Sequence, residues 1–314
     1  MRYFIQLSYN GTRLNGWQRQ PNAPSVQAVI EDAFSLILRQ KIEIMCCGRT
    51  DTGVHASQFF AHFDFDGKFP KGFLERLNKL VGADIAFAKI SPVLPDAHVR
   101  FDATERSYQY VISFQKSPFT RETAWFFPHF ADLNLENMQK TAHLLRGYEA
   151  FAPFCKTHSD AFTMLCTISR CEWIFTENGA VFHITANRFL RGMVRLIVGA
   201  CINVGLGHSS IEDVKKAMDE QLPLTKSYSV PPTGLFLSEV KYPFEIEQGI
   251  LNIEGIKNND GLNPARQHFD IGHSLFLVRY SFLFSKNDKQ TVTFSPPNPS
   301  YPRENNQRHR PAFD

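Results

Sequence analysis

The sequence predicts an α+β protein: two successive β-α-β-β-α-β units of the ferredoxin-like kind, whose antiparallel sheets form a central cleft, followed by a C-terminal extension. Three observations carry that prediction. Period-two and period-3.6 hydrophobic patterns alternate in the same order twice. Caps and turn dipeptides fall at the joints between them. The 314 residues are enough for two cores. The units are expected at residues 1–98 and 99–242, with the extension at 243–314.

In the first unit, Arg2 to Ser8 alternates as a strand. From Ser25 to Arg39, Val26, Val29, Ile30, Ala33, Phe34, Ile37 and Leu38 recur at helical spacing, with Ser25 placed to cap the helix. Lys41 to Cys47 and Gln58 to Phe65 read as strands, Pro70 to Val81 as a helix and Asp84 to Ile90 as a strand. The second unit repeats the order. Arg106 to Phe114 is a strand, and Leu135 to Arg146 is a helix closed by Gly147. Arg170 to Thr176 and Ala180 to Ala186 form a hairpin about Asn178-Gly179, a strong turn dipeptide. Phe189 to Val204 is a helix and Gly234 to Lys241 a strand. Ser210 to Met218 adds a short helix, in which Asp213 completes a capping box with Ser210. Residues 243 to 295 hold strand-like pieces without clear partners, and 296 to 314, with five prolines, have the composition of a disordered tail.

Between the strand at 41–47 and the strand at 58–65 runs Gly48-Arg49-Thr50-Asp51-Thr52-Gly53-Val54-His55-Ala56-Ser57. It sets one carboxylate, Asp51, in a tight turn between two glycines and beside an arginine. Gly48 and Gly53 permit positive φ and close approach of a ligand or backbone. Arg49 is placed to hold Asp51 ionised through charge-assisted hydrogen bonds. A fixed, ionised carboxylate on a rigid loop suits nucleophilic work.

This loop resembles the signature of the tRNA pseudouridine synthase A family, and three other stretches resemble that family in the same order. They are Tyr9-Asn10-Gly11-Thr12 with Gly16-Trp17-Gln18-Arg19-Gln20 and Ser25-Val26-Gln27; Arg100-Phe101-Asp102-Ala103-Thr104 with Arg106, Tyr108 and Tyr110; and Asn187, Phe189, Leu190, Met193, Val194, Arg195, Ile197, Val198 and Gly199. The resemblance runs from Met1 to Tyr242. Two departures stand out: Val99 in His98-Val99-Arg100-Phe101, and Leu80-Val81-Gly82-Ala83-Asp84 where the family often has Leu-Pro-x-Asp.

The resemblance implies an isomerase that converts uridine to pseudouridine in the anticodon stem-loop of tRNA, at nucleotides 38 to 40, working as a homodimer. It implies Asp51 as the catalytic residue, with attack on base or sugar both open. Asp51 is expected in a site that excludes water, so it needs a cation. The family's late-helix arginine matches Arg195, and its active-site tyrosine matches Tyr108, whose ring can stack on the displaced uracil. Arg188, Arg191 and Arg195, spaced by three and four, are expected on one helical face. Arg188 and Arg191 are expected to contact RNA phosphate, and Arg49 to contact phosphate or displace the base. His55 is read as a loop hydrogen-bonder and Tyr110 as a core aromatic. No cofactor is needed, because the reaction has no redox or energy-consuming step. A tRNA-binding module or RNA chaperone that keeps the cleft without turnover is the alternative.

Composition bounds the function classes. A net charge of +3 excludes a highly basic nucleic-acid arm but not a local basic cleft. No apolar run is long enough to span a membrane, and Met1 to Ile5 enters a strand pattern without a signal-peptide layout, so a cytoplasmic protein is expected. None of the six cysteines forms a Cys-x-x-Cys pair, which argues against a zinc or disulfide framework. His62, Asp64 and Asp66 alternate on one strand face near His55, a constellation open to a divalent metal and hence to a nuclease, against which Phe63 and Phe65 make an ordinary half-exposed strand.

Overall fold

The computed structural model describes residues 1–156, 162–244 and 246. Apart from 243, 244 and 246, the expected extension lies outside the described residues. The chain is a mixed α+β protein with nine strands in one open sheet and five α-helices among the described residues.

The N-terminal half runs β1 (Arg2–Tyr9), α1 (Val26–Leu38), β2 (Met45–Cys46), β3 (His55–Asp64), α2 (Phe73–Leu80) and β4 (Ile85–Val93). The C-terminal half runs β5 (Glu105–Ser113), β6 (Trp125–Phe126), α3 (Leu135–Leu145), β7 (Ile168–Thr176), β8 (Gly179–Ala186), α4 (Met193–Gly205), α5 (Ile211–Glu220) and β9 (Leu235–Lys241). The strand order is β4-β1-β3-β9-β5-β8-β7, with β2 beside β3 and β6 beside β5. The halves join where β3 and β9 pair in parallel through His55 with Phe236 and Ala56 with Leu237. Further along the same strand, Ala61 and His62 pair with β2 instead. One hydrophobic cluster, around Phe4, Phe34, Phe59 and Phe63, backs the N-terminal half. A second, around Tyr110, Phe151, Phe182 and Ile197, backs the C-terminal half.

Local chemistry explains the boundaries. Ser25 sits at the N-cap of α1 in extended backbone, and its side chain accepts from the Ala28 amide. Such a cap contributes about 1 kcal/mol. In α5 the capping box of Ser210 and Asp213 closes in both directions.

Three sequence expectations need correction. Only Met45–Cys46 of the segment 41–47 pairs as a strand. Ile42 and Ile44 are buried, but their amides donate to Ser35 Oγ (3.4 Å) and Glu31 Oε1 (3.1 Å) of α1, so burial alternates without a ladder. The hairpin turn is Glu177-Asn178, and neither these residues nor Gly179 has positive φ, as a type I′ turn would require. Gly179 opens β8 instead, where a Cβ would meet the Ile112 carbonyl oxygen at 2.4 Å. Finally, the late helix starts at Met193, not Phe189. Gly192, at φ 72°, is its N-cap, and the preceding residues bury Leu190 in a loop.

Candidate active site

Asp51 stands at the seam of the halves, just before β3. Its loop is held from three sides. The Thr50 carbonyl accepts from the Trp17 amide (3.2 Å), the Asp51 carbonyl accepts from Val54 (3.2 Å), and the Gly53 amide donates to the Leu14 carbonyl (3.3 Å). The Thr50 hydroxyl bonds the buried Tyr9 hydroxyl at 2.8 Å. Gly16 and Gly53 both take φ 76°. A Cβ on Gly16 would meet the Thr50 carbonyl oxygen at 2.5 Å, and one on Gly53 would meet Pro232 Cγ at 2.9 Å. These glycines let the N-terminal segment and the Pro231-Pro232 turn press against the loop. Gly48 differs from the expectation: it lacks positive φ, and a Cβ there would meet nothing within 4 Å.

Arg195, in the first turn of α4, reaches the Asp51 carboxylate with Nη1 to Oδ2 at 3.5 Å. Its Nε donates to the Val230 carbonyl at 2.7 Å, which fixes the guanidinium from behind. The Asp51 side chain remains 38% exposed and that of Arg195 14%. The carboxylate is therefore paired but open to water in the free protein, not sealed as the sequence suggests. Arg49 is exposed and forms no ion pair with Asp51 among the described residues, so the cation facing the carboxylate is supplied from the other half of the chain.

Tyr108, on β5, lines the same cleft, with its ring edge-on to Phe189 at 5.0 Å. Burial raises its pKa, and the Asp51 carboxylate adds in the same direction, so the phenol stays protonated at neutral pH. Tyr110, two residues on, is fully buried and donates to the Pro231 carbonyl at 2.8 Å. His55 is buried beneath the loop. Its Nδ1 accepts from the Gly11 amide (3.1 Å), its Nε2 faces the Thr233 carbonyl (3.0 Å), and its ring stacks on Phe236 at 4.6 Å. Burial lowers its pKa, which keeps Nδ1 an acceptor.

The cleft measures about 1130 Å³ and is lined by Arg49, Arg100, Arg106, Lys156, Arg188, Arg191 and Arg195, with Asp51 the sole carboxylate among the described lining residues. A strongly basic groove thus sits in a chain of net charge +3, the pattern suited to a polyanion. Arg188 and Arg191 share the groove but not a helical face with Arg195: the helix begins only after Gly192, beyond both of them.

Sequence reasoning missed Arg106. One of its terminal nitrogens donates to the carbonyls of Ala103 (2.6 Å) and Asn187 (2.9 Å), the other to those of Cys47 (3.3 Å) and Arg100. It ties together the three loops that wall the cleft. Its charge in a strand, two residues before Tyr108, is the signal that would have marked it.

The His62 face is committed elsewhere. His62 Nδ1 accepts from the Val99 amide (3.1 Å), and Asp64 makes two bonds to Arg2, each 2.9 Å. Asp66 pairs with the terminal amine.

A family profile described as tRNA pseudouridine synthase matches residues 141–243. A tRNA pseudouridine synthase A from Porphyromonas gingivalis is 43% identical over 250 residues, covering 78% of this chain and 98% of the relative. One from Azobacteroides pseudotrichonymphae is 42% identical over 243 residues, covering 77% and 97%. One from Francisella tularensis subsp. novicida is 33% identical over 256 residues, covering 80% and 98%. With relatives of this identity matched over nearly their whole length, the chain belongs to the tRNA pseudouridine synthase A family.

Proposed function

We propose that this protein isomerises uridine to pseudouridine in the anticodon stem-loop of tRNA, at nucleotides 38 to 40, with Asp51 as the catalytic carboxylate. The observation that carries the proposal is the pairing of Asp51 with Arg195 beside Tyr108, in a groove whose other charged side chains, among the described residues, are all cations. The reaction breaks the bond from uracil N1 to ribose C1′ and makes one from C5 to C1′. C5 loses a proton and N1 gains one, so nothing is consumed. Asp51 supplies the nucleophile, either to the base or to C1′. Arg195 keeps it ionised once the bound RNA displaces water. The target base must leave its stack, at a cost of a few kcal/mol. Phosphate contacts from Arg49, Arg188 and Arg191 and stacking on Tyr108 offset that cost.

In this reading residues 1–98 and 99–242 are two ferredoxin-like units, with strand orders β4-β1-β3-β2 and β9-β5-β8-β7. By its family the chain acts in the cytoplasm as a homodimer, which analytical ultracentrifugation of the purified protein tests.

The function is tested with tRNA tritiated at uracil C5. Wild type should release tritium. Asp51→Ala should release none while binding tRNA within about a few-fold of wild type, because phosphate contacts dominate affinity. Release by Asp51→Ala removes the residue assignment. Tight binding without release by wild type favours a tRNA-binding module or chaperone. Loss of pseudouridine at nucleotides 38 to 40 in a deletion strain tests the choice of substrate.

A further inference from the structure

Phe101 lines the cleft with its side chain 75% exposed. A ring of that size left in water contributes little to folding. The loop that carries it is nonetheless closely braced. The His98 amide donates to the Asp102 carboxylate (2.7 Å), and the Asp102 amide returns to the His98 carbonyl (3.0 Å). His98 Nδ1 accepts from the amides of Arg100 (3.1 Å) and Phe101 (3.3 Å). Burial holds the His98 pKa below its ordinary value, so this acceptor persists at neutral pH. From below, Arg106 donates to the carbonyls of Arg100 and Ala103. The His98 ring packs at 4.3 Å from the Phe101 ring, and the Arg100 guanidinium lies 5.8 Å from its centroid. An exposed aromatic on a pre-ordered loop, with a cation beside it, loses little entropy when a flat ligand stacks on it.

We propose that Phe101 is a stacking platform for an unpaired nucleobase next to the uridine extruded toward Asp51, with Arg100 beside it to neutralise the adjoining phosphate. The proposal rests on the groove being a tRNA site. The occupant is a nucleobase because the ring shares its groove with Asp51 and the seven cations, and a polyanion with exposed bases matches both features.

The test measures binding of an anticodon stem-loop RNA, intact or with one abasic nucleotide on either side of the target uridine. Phe101→Ala is expected to weaken binding about tenfold, as loss of one stacked base does, and to leave the slope of log Kd against log salt unchanged. Phe101→Tyr should bind like wild type, whereas Phe101→Leu should behave like the alanine variant. With the abasic nucleotide at the stacked position, wild type should fall to the variant's affinity and the variant should lose nothing further. Thermal unfolding should be the same for all four proteins, since the ring is exposed. Unchanged affinity of Phe101→Ala, full rescue by leucine, or equal losses from the variant on intact and both abasic RNAs would each overturn the platform. So would a change in oligomeric state with RNA binding intact, which would make the ring a protein contact. Wild-type turnover of the same RNA reads the proposed function separately, and the binding arms read the platform whether or not turnover occurs.

Discussion

The pairing of Asp51 with Arg195 gives a prediction whose size follows from the geometry. At the observed 3.5 Å, two unit charges attract by about 1 kcal/mol in water and about 5 kcal/mol at the effective dielectric of ~20 typical of protein sites. With its carboxylate 38% exposed, the free protein lies near the lower figure, as exposed pairs do. RNA filling the groove displaces water and moves the pair toward the higher one. Arg195→Ala should therefore cost the free protein only about 1–2 kcal/mol, counting the Val230 carbonyl that loses its donor. The same substitution should lower kcat/KM by about 10²- to 10³-fold, the equivalent of roughly 3–4 kcal/mol in the transition state. Arg195→Lys should fall between, because one ammonium cannot bond the Val230 carbonyl and reach Asp51 in the same fork-like way. Tritium release under kcat/KM conditions, with urea unfolding of the same preparations, measures both quantities. A folded Arg195→Ala protein within about threefold of wild-type kcat/KM would refute the reasoning, since so small a loss is well under 1 kcal/mol.

Gly199 and His62 give two further expected outcomes. Alanine in mid-helix normally stabilises by about 1 kcal/mol over glycine. At Gly199, however, a Cβ would stand 1.8 Å from the Tyr228 carbonyl oxygen. Gly199→Ala should therefore destabilise by about 1–3 kcal/mol and lower kcat, by shifting the segment whose Val230 carbonyl aims Arg195; an alanine protein of normal stability and rate would contradict this. His62 titrates at about 4 in place of 6.5, chiefly because of burial. The unfolded chain takes up that proton first, so stability should fall as pH drops from about 6.5 toward 4 and level off below, where both states are protonated. Urea unfolding at pH 7 and pH 5 should show this slope, and His62→Gln should flatten it; an unchanged slope would exclude His62 as its source.

What could be read in the sequence was whatever depends on near neighbours. Ser25 and the Ser210–Asp213 box announce their helices because a cap needs only four consecutive residues. What failed depends on distant partners. Residues 41–44 alternate like a strand, yet the Ile42 and Ile44 amides bond to side chains of α1. Phe189, Leu190, Met193 and Val194 have helical spacing, but burying Leu190 in a loop satisfies the same pattern, and positive φ at Gly192 sets the true start. The Arg49-Asp51 pairing suggested by adjacency gives way to Arg195, far along the chain, because neighbouring side chains on a tight loop need not face one another.

The site is assembled from both halves. Asp51 comes from the N-terminal half; Tyr108, Arg195 and the arginines of 188–191 come from the C-terminal half. Among the described residues, the strand pairing that joins them is only the parallel match of His55 and Ala56 with Phe236 and Leu237. Its stiffness must come from elsewhere. His55 accepts from Gly11 in one half and meets the Thr233 carbonyl of the other, and Gly53 leaves room for Pro232. Arg106 spans from its own strand to the Cys47 carbonyl beside the Asp51 loop. Removing a buried partner from such a network leaves an unsatisfied polar group rather than a mere gap. The histidine after the Asp51 turn is therefore explained by its place as a neutral bridge across the seam. It ties the segment that carries the Asp51 loop to the turn before β9.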